Sequence, residues 1–471
     1  MKDANKKALE LLCDFAVKLS VDDFSDHDRE YLNLLFVDYF AAALAGYRLN
    51  REFNGVLESL LFDMGGKEES TVFLSGRKLP ACNAAFLNAI YAGGAEMDDG
   101  HRKANGHPGS SVISAVLAMA ETLPVTEKDV LTAIAVGYEF FCRLAAATQP
   151  GQGGRGFHPT GVTGTLACAA ACAKLLKLDR AGFESVLAAA VMQCSGILTC
   201  ENFKPISPGK AAYNGVLSAK LVQSGATADG DVLGKCTRWF RAVSDDFDMT
   251  QITEGLGEVL ALSTLYIKPY PACRHLHGAI DGALALRDKV DVFSADEIVV
   301  SLYKSAYGKA TGITRPKTVS EAKFSTAYTM ACAFVNGRLS LEDLDVDQAD
   351  PRVWELIDKF TFVLDPGLED RAKGLRGTKV EVITNGNSLV YQEELPKGDP
   401  EFPVTREELK QKFAMCSGDL LTPDEETTLL LWAEKFGTDS LYAPLLCRPS
   451  ERFSAIGFKA GEPAGCQCDL E

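Results

Sequence analysis

The feature that most constrains the fold of this chain is a run of small side chains at positions 160–176, TGVTGTLACAAACAKLL. The run has helical periodicity, but its Ala, Gly and Cys residues leave almost no polar face. Small side chains let neighbouring helices approach closely, so this helix belongs in a dense core. Similar patterns, broken by Gly, Pro and Asp, predict helices over residues 28–45, 111–122, 128–147, 183–197 and 211–224. The first part of the chain is therefore predicted to be a helical domain.

The pattern changes after Tyr266. Residues 297–303 (EIVVSLY) and 361–364 (TFVL) have the composition of strands, and KVEVIT, NGN and SLVYQ at 379–392 predict a hairpin. Helical patterns alternate with these strands at 275–289, 321–336 and 351–359. This mixture is typical of a small α/β domain.

Helical patterns resume after the Pro- and Gly-rich segment LPKGDPEFP, at 405–414 and again from Pro423. We therefore predict a mainly α protein with an inserted α/β domain, in which both chain ends build one large helical domain. The predicted limits are 1–266 for its first part, 267–399 for the insertion and 400–471 for the return segment. The final GEPAGCQCDLE is small and polar, which predicts a frayed end.

Charge and cysteine content limit the partners of the chain. Its formal charge of −16 disfavours nucleic acid and anionic lipid. The first twenty residues lack the apolar stretch of a signal peptide, and no uncharged apolar run reaches the ~18 residues that a membrane helix needs. The fourteen cysteines are scattered, which predicts reduced thiols. We expect a cytoplasmic protein without nucleic-acid or membrane partners, whose anionic ligands require a local cationic pocket.

Five of the six histidines fall into three short motifs, of which the first is AEMDDGHRKANGHPGSS. It places carboxylates beside imidazoles on a Gly-rich loop, a combination suited to acid/base chemistry. An isolated Asp-Asp pair usually caps a turn, but two histidines six positions apart are hard to explain by packing because each has two ring nitrogens to satisfy. The motif therefore predicts catalysis or ligand binding by Glu96, Asp98, Asp99, His101 and His107.

The second motif is GFHPTGVTG, in which His158 precedes Pro159 and the opening of a helix. Free backbone N–H groups at such an opening attract carboxylates. A lone His is more often structural, but His-Pro occurs at both 107–108 and 158–159, each time before a helix of small residues. This recurrence favours one shared site.

Basic side chains surround the third motif, KPYPACRHLHG, and the segment FKPISPGKAAYNG. Cations beside imidazoles suit a polyanion, with Arg as a bidentate partner and Lys as a point charge. The candidates are Lys204, Lys210, Lys268, Arg274, His275 and His277. Solvation at the surface is the simpler interpretation for Lys210.

The motifs DDGH with HPG, GFHPTG, K-P-x-x-P-G, KPYPxCRxxH and EAKFSTAY, in this order, resemble the MmgE/PrpD family over nearly the whole chain. That family includes 2-methylcitrate dehydratase, cis-aconitate decarboxylase and an iminodisuccinate epimerase. The resemblance implies a helical domain with a smaller α/β lid, a homodimer, and a cleft site without metal or cofactor. Carried over by motif, the active-site positions are Glu96, His107, His158, Lys204, Lys268 and Tyr307. Cys273 stands where some decarboxylases of the family carry His.

The expected function is that of a lyase acting on a small di- or tricarboxylate, either as a 2-methylcitrate dehydratase-like or a cis-aconitate decarboxylase-like enzyme. In this hypothesis His107 and His158 transfer protons, Glu96 and Asp99 orient the imidazoles, and Tyr307 is a further catalytic position. The substrate is bound by Lys204, Lys268, Arg274, His101, His277 and Cys273.

Several alternatives remain open at this stage. An epimerase of an amino or imino dicarboxylate needs only proton removal and return, and a noncatalytic dicarboxylate-binding protein needs neither. A metal hydrolase is disfavoured because the acidic loop fits no standard ligand motif, and an iron–sulfur site because the cysteine pairs 168/172, 194/200 and 466/468 lack CxxC spacing. GQGGRG at 151–156 matches GxGxxG but follows a helical stretch instead of a strand.

Overall fold

The computed structural model describes residues 2–370 and 373–442. The predicted frayed end and the cysteine pair 466/468 lie outside the described residues. The first part of the chain is helical apart from a two-residue pairing of β1 (Ser70–Thr71) with β2 (Lys78–Leu79). Its helices are α1 (Lys2–Lys18), α2 (Asp26–Leu49), α3 (Arg51–Met64), α4 (Ala81–Gly93), α5 (Gly109–Ala120), α6 (Glu127–Thr148), α7 (Gly151–Gly154), α8 (Pro159–Leu175), α9 (Arg180–Val191), α10 (Ile206–Gln223), α11 (Val232–Cys236), α12 (Arg238–Val243) and α13 (Thr250–Thr253).

Strands and helices alternate in the next part. The strands are β3 (Glu297–Leu302), β4 (Phe360–Leu364), β5 (Glu369–Asp370), β6 (Leu375–Arg376), β7 (Thr378–Thr384) and β8 (Asn387–Glu393). The helices are α14 (His277–Leu286), α15 (Lys304–Ala310), α16 (Val319–Ala322), α17 (Thr326–Asn336) and α18 (Pro351–Ile357), followed by α19 (Arg406–Ser417) and α20 (Pro423–Glu434). The chain is thus mainly α with small sheets, which confirms the coarse fold class. The domain limits 1–266, 267–399 and 400–471 stay a prediction.

Two predicted helices differ from the structure in extent. The pattern at 183–197 ends as a helix at Val191. The pattern at 321–336 forms two helices, because the Ser325 side chain accepts a hydrogen bond from Tyr328 N and caps a new one. A polar cap inside an apolar pattern therefore interrupts the predicted element.

Helix α8 lies at the centre of the larger core, as the small side chains predict. All its residues are buried except Lys174. A Cβ on Gly215 of α10 would lie 2.3 Å from the Cβ of Cys168, and one on Gly137 of α6 would lie 2.4 Å from a Val112 methyl group. These approaches require glycine, so the spacing of α8 with α10 and of α5 with α6 depends on small residues.

Helix α6 is long and apolar enough to cross a membrane by length and composition alone. In the structure 94% of its most apolar window is buried inside the protein. Its N-terminus carries a capping box formed by Thr126 and Asp129. This is the position of a core helix.

A second core lies under a four-stranded sheet of order β4-β3-β7-β8. Strands β3 and β4 are parallel, and the other neighbours are antiparallel. Val300 of β3 is opposite Val380 of β7, and both are buried on the face that α14 covers. The predicted NGN turn joins β7 to β8, with Asn385 and Gly386 at positive φ as a tight hairpin turn requires.

Helices α19 and α20 pack on α2 and join the larger core. Phe413 and Leu429 are fully buried, and Trp432 and Phe436 contact the ring of Phe36. Lys412 reaches through this interface, and its Nζ donates to Asp38 Oδ1 (2.5 Å) and to Met97 O (2.8 Å). The return segment therefore contacts the loop that begins after α4.

Candidate active site

The loop between α4 and α5 is held against the segment that follows α13. Gly100 N donates to Tyr266 O (3.1 Å) and Tyr266 N donates to Gly100 O (2.8 Å). A Cβ on Gly100 would lie 2.3 Å from the Tyr266 hydroxyl, so glycine is needed here. This pairing brings Lys268, two residues after Tyr266, beside the loop between α4 and α5.

Glu96 is the centre of a buried ion cluster. Lys204 Nζ contacts Glu96 Oε1, and Lys268 Nζ lies 3.6 Å from Glu96 Oε2 and donates to Glu96 O at 3.0 Å. Lys268 is fully buried and Lys204 is largely so. Glu96 has a φ of +57°, a conformation that side chains with a Cβ rarely adopt. The surrounding contacts therefore hold Glu96 in a strained backbone geometry that aims its carboxylate between two ammonium groups.

Burial by itself would raise the pKa of the Glu96 carboxyl. The charges of Lys204 and Lys268 outweigh this effect and hold that pKa well below its usual range. Burial would likewise lower the pKa of Lys204, but Glu96 raises it above the usual range. Glu96 is therefore an anion between two ammonium groups.

His107 is held in one tautomer. Its Nδ1 lies 2.7 Å from Asp99 O, and a carbonyl oxygen can only accept, so Nδ1 carries the proton. The Nε2 atom is then the nitrogen with a free lone pair. Burial, with help from the charges of Lys268 and Lys204, puts the pKa of His107 well below its usual range. The ring is neutral at pH 7 and is able to accept a proton at Nε2.

His158 lies at the start of α8, as predicted. Its backbone N donates to Gly196 O (2.8 Å), and its Nδ1 lies 2.8 Å from the Ser207 hydroxyl. Burial and then the charge of Lys204 lower its pKa well below the usual range. His158 is thus a second neutral imidazole, close enough to Lys204 for that charge to act on it.

The two aspartates of the loop differ in their surroundings. The Asp99 carboxylate accepts from Gly109 N (2.8 Å) and from the Tyr138 hydroxyl (2.7 Å), and burial raises its pKa to about 7. A Cβ on Gly109 would lie 2.4 Å from this carboxylate. Asp98 Oδ1 lies 3.9 Å from Lys268 Nζ. Asp99 therefore anchors the loop to α5 and α6, whereas Asp98 faces the ion cluster.

A second polar group surrounds Arg274. Its guanidinium donates to Asp399 Oδ2 (2.6 Å), Pro396 O and Lys397 O, and stacks on the ring of Tyr266. His277 has both ring nitrogens engaged, with Nδ1 3.1 Å from Arg274 Nη1 and Nε2 3.1 Å from Ala272 O. His275 Nδ1 lies 2.5 Å from the Tyr303 hydroxyl. This group joins the segment after Lys268 to residues 396–399.

The remaining predicted residues have different surroundings. Burial and then the charge of Glu96 raise the pKa of the Cys273 thiol, so the thiol is neutral. His101 accepts from Ala104 N at Nδ1 (3.1 Å), and burial lowers its pKa to about 3. Tyr307 lies on α15 against the second core. Lys210 is exposed, with its Nζ 4.6 Å from the centre of the Tyr213 ring.

The structure therefore brings together Glu96, Asp98, His107, His158, Lys204 and Lys268 from distant parts of the chain. Three contributors were not put forward from the sequence. Ser207 bonds His158, Tyr138 bonds Asp99, and the buried Lys323 donates to Gly94 O (2.9 Å) and acts on Glu96. Lys323 lies in the EAKFSTAY motif, whereas nothing in the pattern around Ser207 or Tyr138 distinguishes them from core polar residues.

This arrangement combines cations for carboxylates with neutral imidazoles that are able to accept protons. Ammonium groups beside a reacting carbon stabilise enolate-like charge. Two imidazoles in different surroundings are suited to separate acid and base roles. The site is thus equipped for proton transfer at a carbon atom next to a carboxylate.

Comparison with known proteins identifies related chains. The family model of the MmgE/PrpD N-terminal domain matches residues 10–252, and that of the MmgE/PrpD C-terminal domain matches residues 270–436. The chain is similar to a cis-aconitate decarboxylase of Aspergillus terreus, at 26% identity over 87% of this chain and 89% of the relative. It is also similar to the cis-aconitate decarboxylases of Mus musculus (25% identical, covering 76% of each chain) and Homo sapiens (26% identical, covering 75% of this chain and 76% of the relative).

Proposed function

The chain belongs to the MmgE/PrpD family, and on that basis we propose that it is a lyase that releases CO2 or water from a small di- or tricarboxylate. No cofactor takes part in the proposed reaction. The observation that carries this proposal is the buried Glu96 carboxylate between Lys204 and Lys268, with two neutral imidazoles beside it.

Substrate binding in this mechanism uses the ammonium groups of the cluster. Lys204 and Lys268 face Glu96, and Asp98 Oδ1 lies 3.9 Å from Lys268 Nζ, so a substrate carboxylate shares the two ammonium groups with Glu96. Arg274 lies further along the same segment and is already paired with Asp399, so its predicted role in substrate binding is the less direct one. The two lysines also stabilise negative charge that develops next to the bound carboxylate.

Proton transfer is assigned to His107 and His158. A polyanionic substrate raises the pKa of nearby imidazoles, so a ring that is neutral in the free protein takes up a proton when substrate binds. In decarboxylation the C–C bond to the leaving carboxylate breaks, the electron pair remains on carbon as an enolate-like anion, and an imidazolium gives that carbon its proton. One proton is consumed and one CO2 is released, so charge and atoms balance.

Decarboxylation of an unsaturated tricarboxylate is the first candidate, because the curated relatives named above are cis-aconitate decarboxylases that align with most of this chain. Dehydration, as by a 2-methylcitrate dehydratase, uses the same lysines but needs a neutral imidazole as the base that removes a proton from carbon and an acid for the departing hydroxide. Epimerisation needs proton removal and return without a leaving group. The neutral Cys273 thiol stands where some decarboxylases of the family have His, so a second acid must come from His158 or His107.

The test is proton NMR of the purified protein with a panel of substrates in D2O. The panel contains cis-aconitate, 2-methylcitrate and aminodicarboxylates. We expect loss of a carboxylate with one solvent deuteron incorporated, and loss of that turnover in His107→Gln. Solvent exchange at a carbon without loss of CO2 or water would favour the epimerase instead. Binding without any exchange or turnover would favour a noncatalytic binding protein.

The expected homodimer and cytoplasmic location are also proposals. Exposed apolar side chains occur on α3, α10 and the segment between α9 and α10, namely Val56, Leu60, Met64, Met192, Ile197, Leu198, Phe203, Leu217 and Leu221. A face of this kind is suited to a second copy of the chain. Light scattering of the protein as it elutes from a size-exclusion column gives its mass directly. A monomer that remains active would contradict the proposal of a homodimer.

A further inference from the structure

A cavity of about 500 Å³, lined in part by Arg102, Lys103 and Asn105, has no role in the mechanism above. It lies between the loop after Gly100, the end of α6 with α7, and α15. Its lining includes the cationic residues Arg102, Lys103, Lys309 and Arg376. We call the cavity with these four residues the basic vestibule. Asp248 and Glu369 also line it, so cations exceed carboxylates in its wall.

The cations of the basic vestibule differ in how they are compensated. Arg102 pairs with Glu401 (2.6 Å) and lies 3.5 Å from Asp399. Within residues 2–370 and 373–442, no carboxylate forms an ion pair with Lys103 or Arg376. Arg376 is nevertheless fixed in place, because its Nη2 donates to Arg102 O at 2.8 Å. Glu369 is opposite Arg376 in the β5–β6 pairing, and the four cations against two carboxylates leave the wall net positive. In a protein with a formal charge of −16, such a wall with a fixed guanidinium is an attractive point for an anion.

Arg102 and Arg376 also line a second, water-sized cavity of about 10 Å³, together with Arg274, His275 and Tyr303. Arg102 Nη1 and Asp399 Oδ1 are both buried without a hydrogen-bond partner. Buried polar atoms of this kind are uncommon in folded proteins. The two arginines thus form the wall between the open vestibule and an inner polar space.

One cation of the basic vestibule acts on a proposed catalytic histidine, His158. The charge of Lys309 acts on both His158 and His275, and that of Arg376 acts on His275 and His101. Arg102, Lys103 and Asn105 belong to the loop that ends at His107. An anion held in the vestibule would therefore contact the same loop that carries His107.

We propose that the basic vestibule is a second binding site for small polycarboxylates, in which Arg376 and Lys103 hold an anion on its way to or from the buried cluster. The choice of a polycarboxylate as ligand rests on the proposed function. The geometry of the vestibule does not depend on that function. Guanidinium groups bind carboxylates bidentately, and a cavity of this volume has room for a small tricarboxylate.

The experiment is titration calorimetry of the full-length protein with propane-1,2,3-tricarboxylate, which has neither a double bond nor a hydroxyl group to react. We expect two binding events in the wild type. Lys103→Gln/Arg376→Gln should weaken one event about tenfold or more, and Lys204→Gln should weaken the other. Arg376→Lys, which keeps the charge, should retain much of the vestibule event. Arg315→Gln, at an exposed arginine paired with Asp358, is the matched control and should change neither.

Turnover gives an independent measure. With the substrate found in the NMR panel, Lys103→Gln/Arg376→Gln should lower kcat/KM about tenfold at low salt and leave kcat within twofold. A single binding event in the wild type that survives in the double variant would overturn the vestibule, even if turnover is normal. Two events in a protein that turns over nothing would uphold the vestibule and reject the proposed function. Thermal unfolding of each variant shows whether a loss reflects misfolding, and Lys103→Gln alone, at an exposed side chain, serves if the double variant does not fold.

Discussion

Lys268 Nζ lies 3.0 Å from the main-chain oxygen of Glu96 and 3.6 Å from its Oε2, and no part of the Lys268 side chain is exposed. One ammonium group thereby bonds the backbone of a residue at positive φ and faces its carboxylate. Removing that group takes away both the support for the strained backbone and one of the cations around Glu96.

Lys268→Met should lower kcat/KM by roughly 10²-fold or more, because it removes a cation next to the reacting carboxylate. The pKa of His107 should rise in the same variant, since the charge of Lys268 helps to depress it. Carbon and nitrogen NMR of the imidazole as a function of pH measures that pKa. Lys210→Gln, at an exposed lysine of α10, is the control for loss of a positive charge. An unchanged His107 pKa would show that the two groups are not coupled.

His158→Gln should reduce kcat by about 10²–10⁴ without unfolding the protein, as expected for removal of an acid/base group. Ser207→Ala should have a smaller effect, because it removes only the hydroxyl 2.8 Å from Nδ1 that fixes the ring. Serine hydroxyls donate or accept, so the variant frees the tautomer instead of removing the imidazole. Steady-state kinetics and circular dichroism on both variants test this. Equal losses in the two variants would mean that Ser207 has a direct role in the reaction.

Asp99 should make the stability of the protein depend on pH. Burial raises its pKa from 3.8 to about 7, so it binds a proton more tightly in the folded state than in the unfolded state. Its contribution to the free energy of unfolding is fully present below pH 4 and is lost as the pH rises through 7. Between pH 5 and pH 8 the wild type should lose about 2–3 kcal/mol relative to Asp99→Asn, measured by denaturant unfolding. In Tyr138→Phe, which lacks a donor to the ionised carboxylate, the same loss should occur at higher pH.

The Lys412–Asp38 pair supports the loop from the return segment. Both side chains are buried, and Lys412 also donates to Met97 O. Lys412→Met should lower the free energy of unfolding by about 3–5 kcal/mol, because it leaves the Asp38 carboxylate buried without its partner. The double variant Asp38→Leu/Lys412→Met should recover part of this loss in the same urea titration. A double variant that is less stable than Lys412→Met would show that the pair does not act as a unit.

Local patterns predicted most of the elements, because period and turn chemistry act over a few residues. The small residues of α8 and the Asn385–Gly386 turn are where the sequence places them. The interruption at Ser325 and the early end at Val191 were missed, because a side-chain cap or a change in packing competes with an apolar pattern that continues. The family membership predicted from the motifs is confirmed.

The proximity of the site residues was partly predictable, and their roles stay predictions. His107, His158, Lys204 and Lys268 were each predicted from a motif, and the structure places their charges within reach of one another. The partners that orient them were not predicted, because Ser207 and Lys412 come from helices whose pattern indicates only a core face. Contacts of this kind depend on how helices meet, which no single segment encodes.

The bond from Lys412 to Met97 joins positions 315 residues apart in the chain. Protein synthesis proceeds from the N-terminus, so the loop between α4 and α5, which carries His107, leaves the ribosome long before Lys412 is synthesised. Helices α4–α10 are able to pack while the loop still lacks both Lys268 and Lys412. The proposed site is thus completed at a late stage of translation. A chain that ends before α19 would contain every proposed catalytic residue but would lack the bond from Lys412 that supports the loop between α4 and α5.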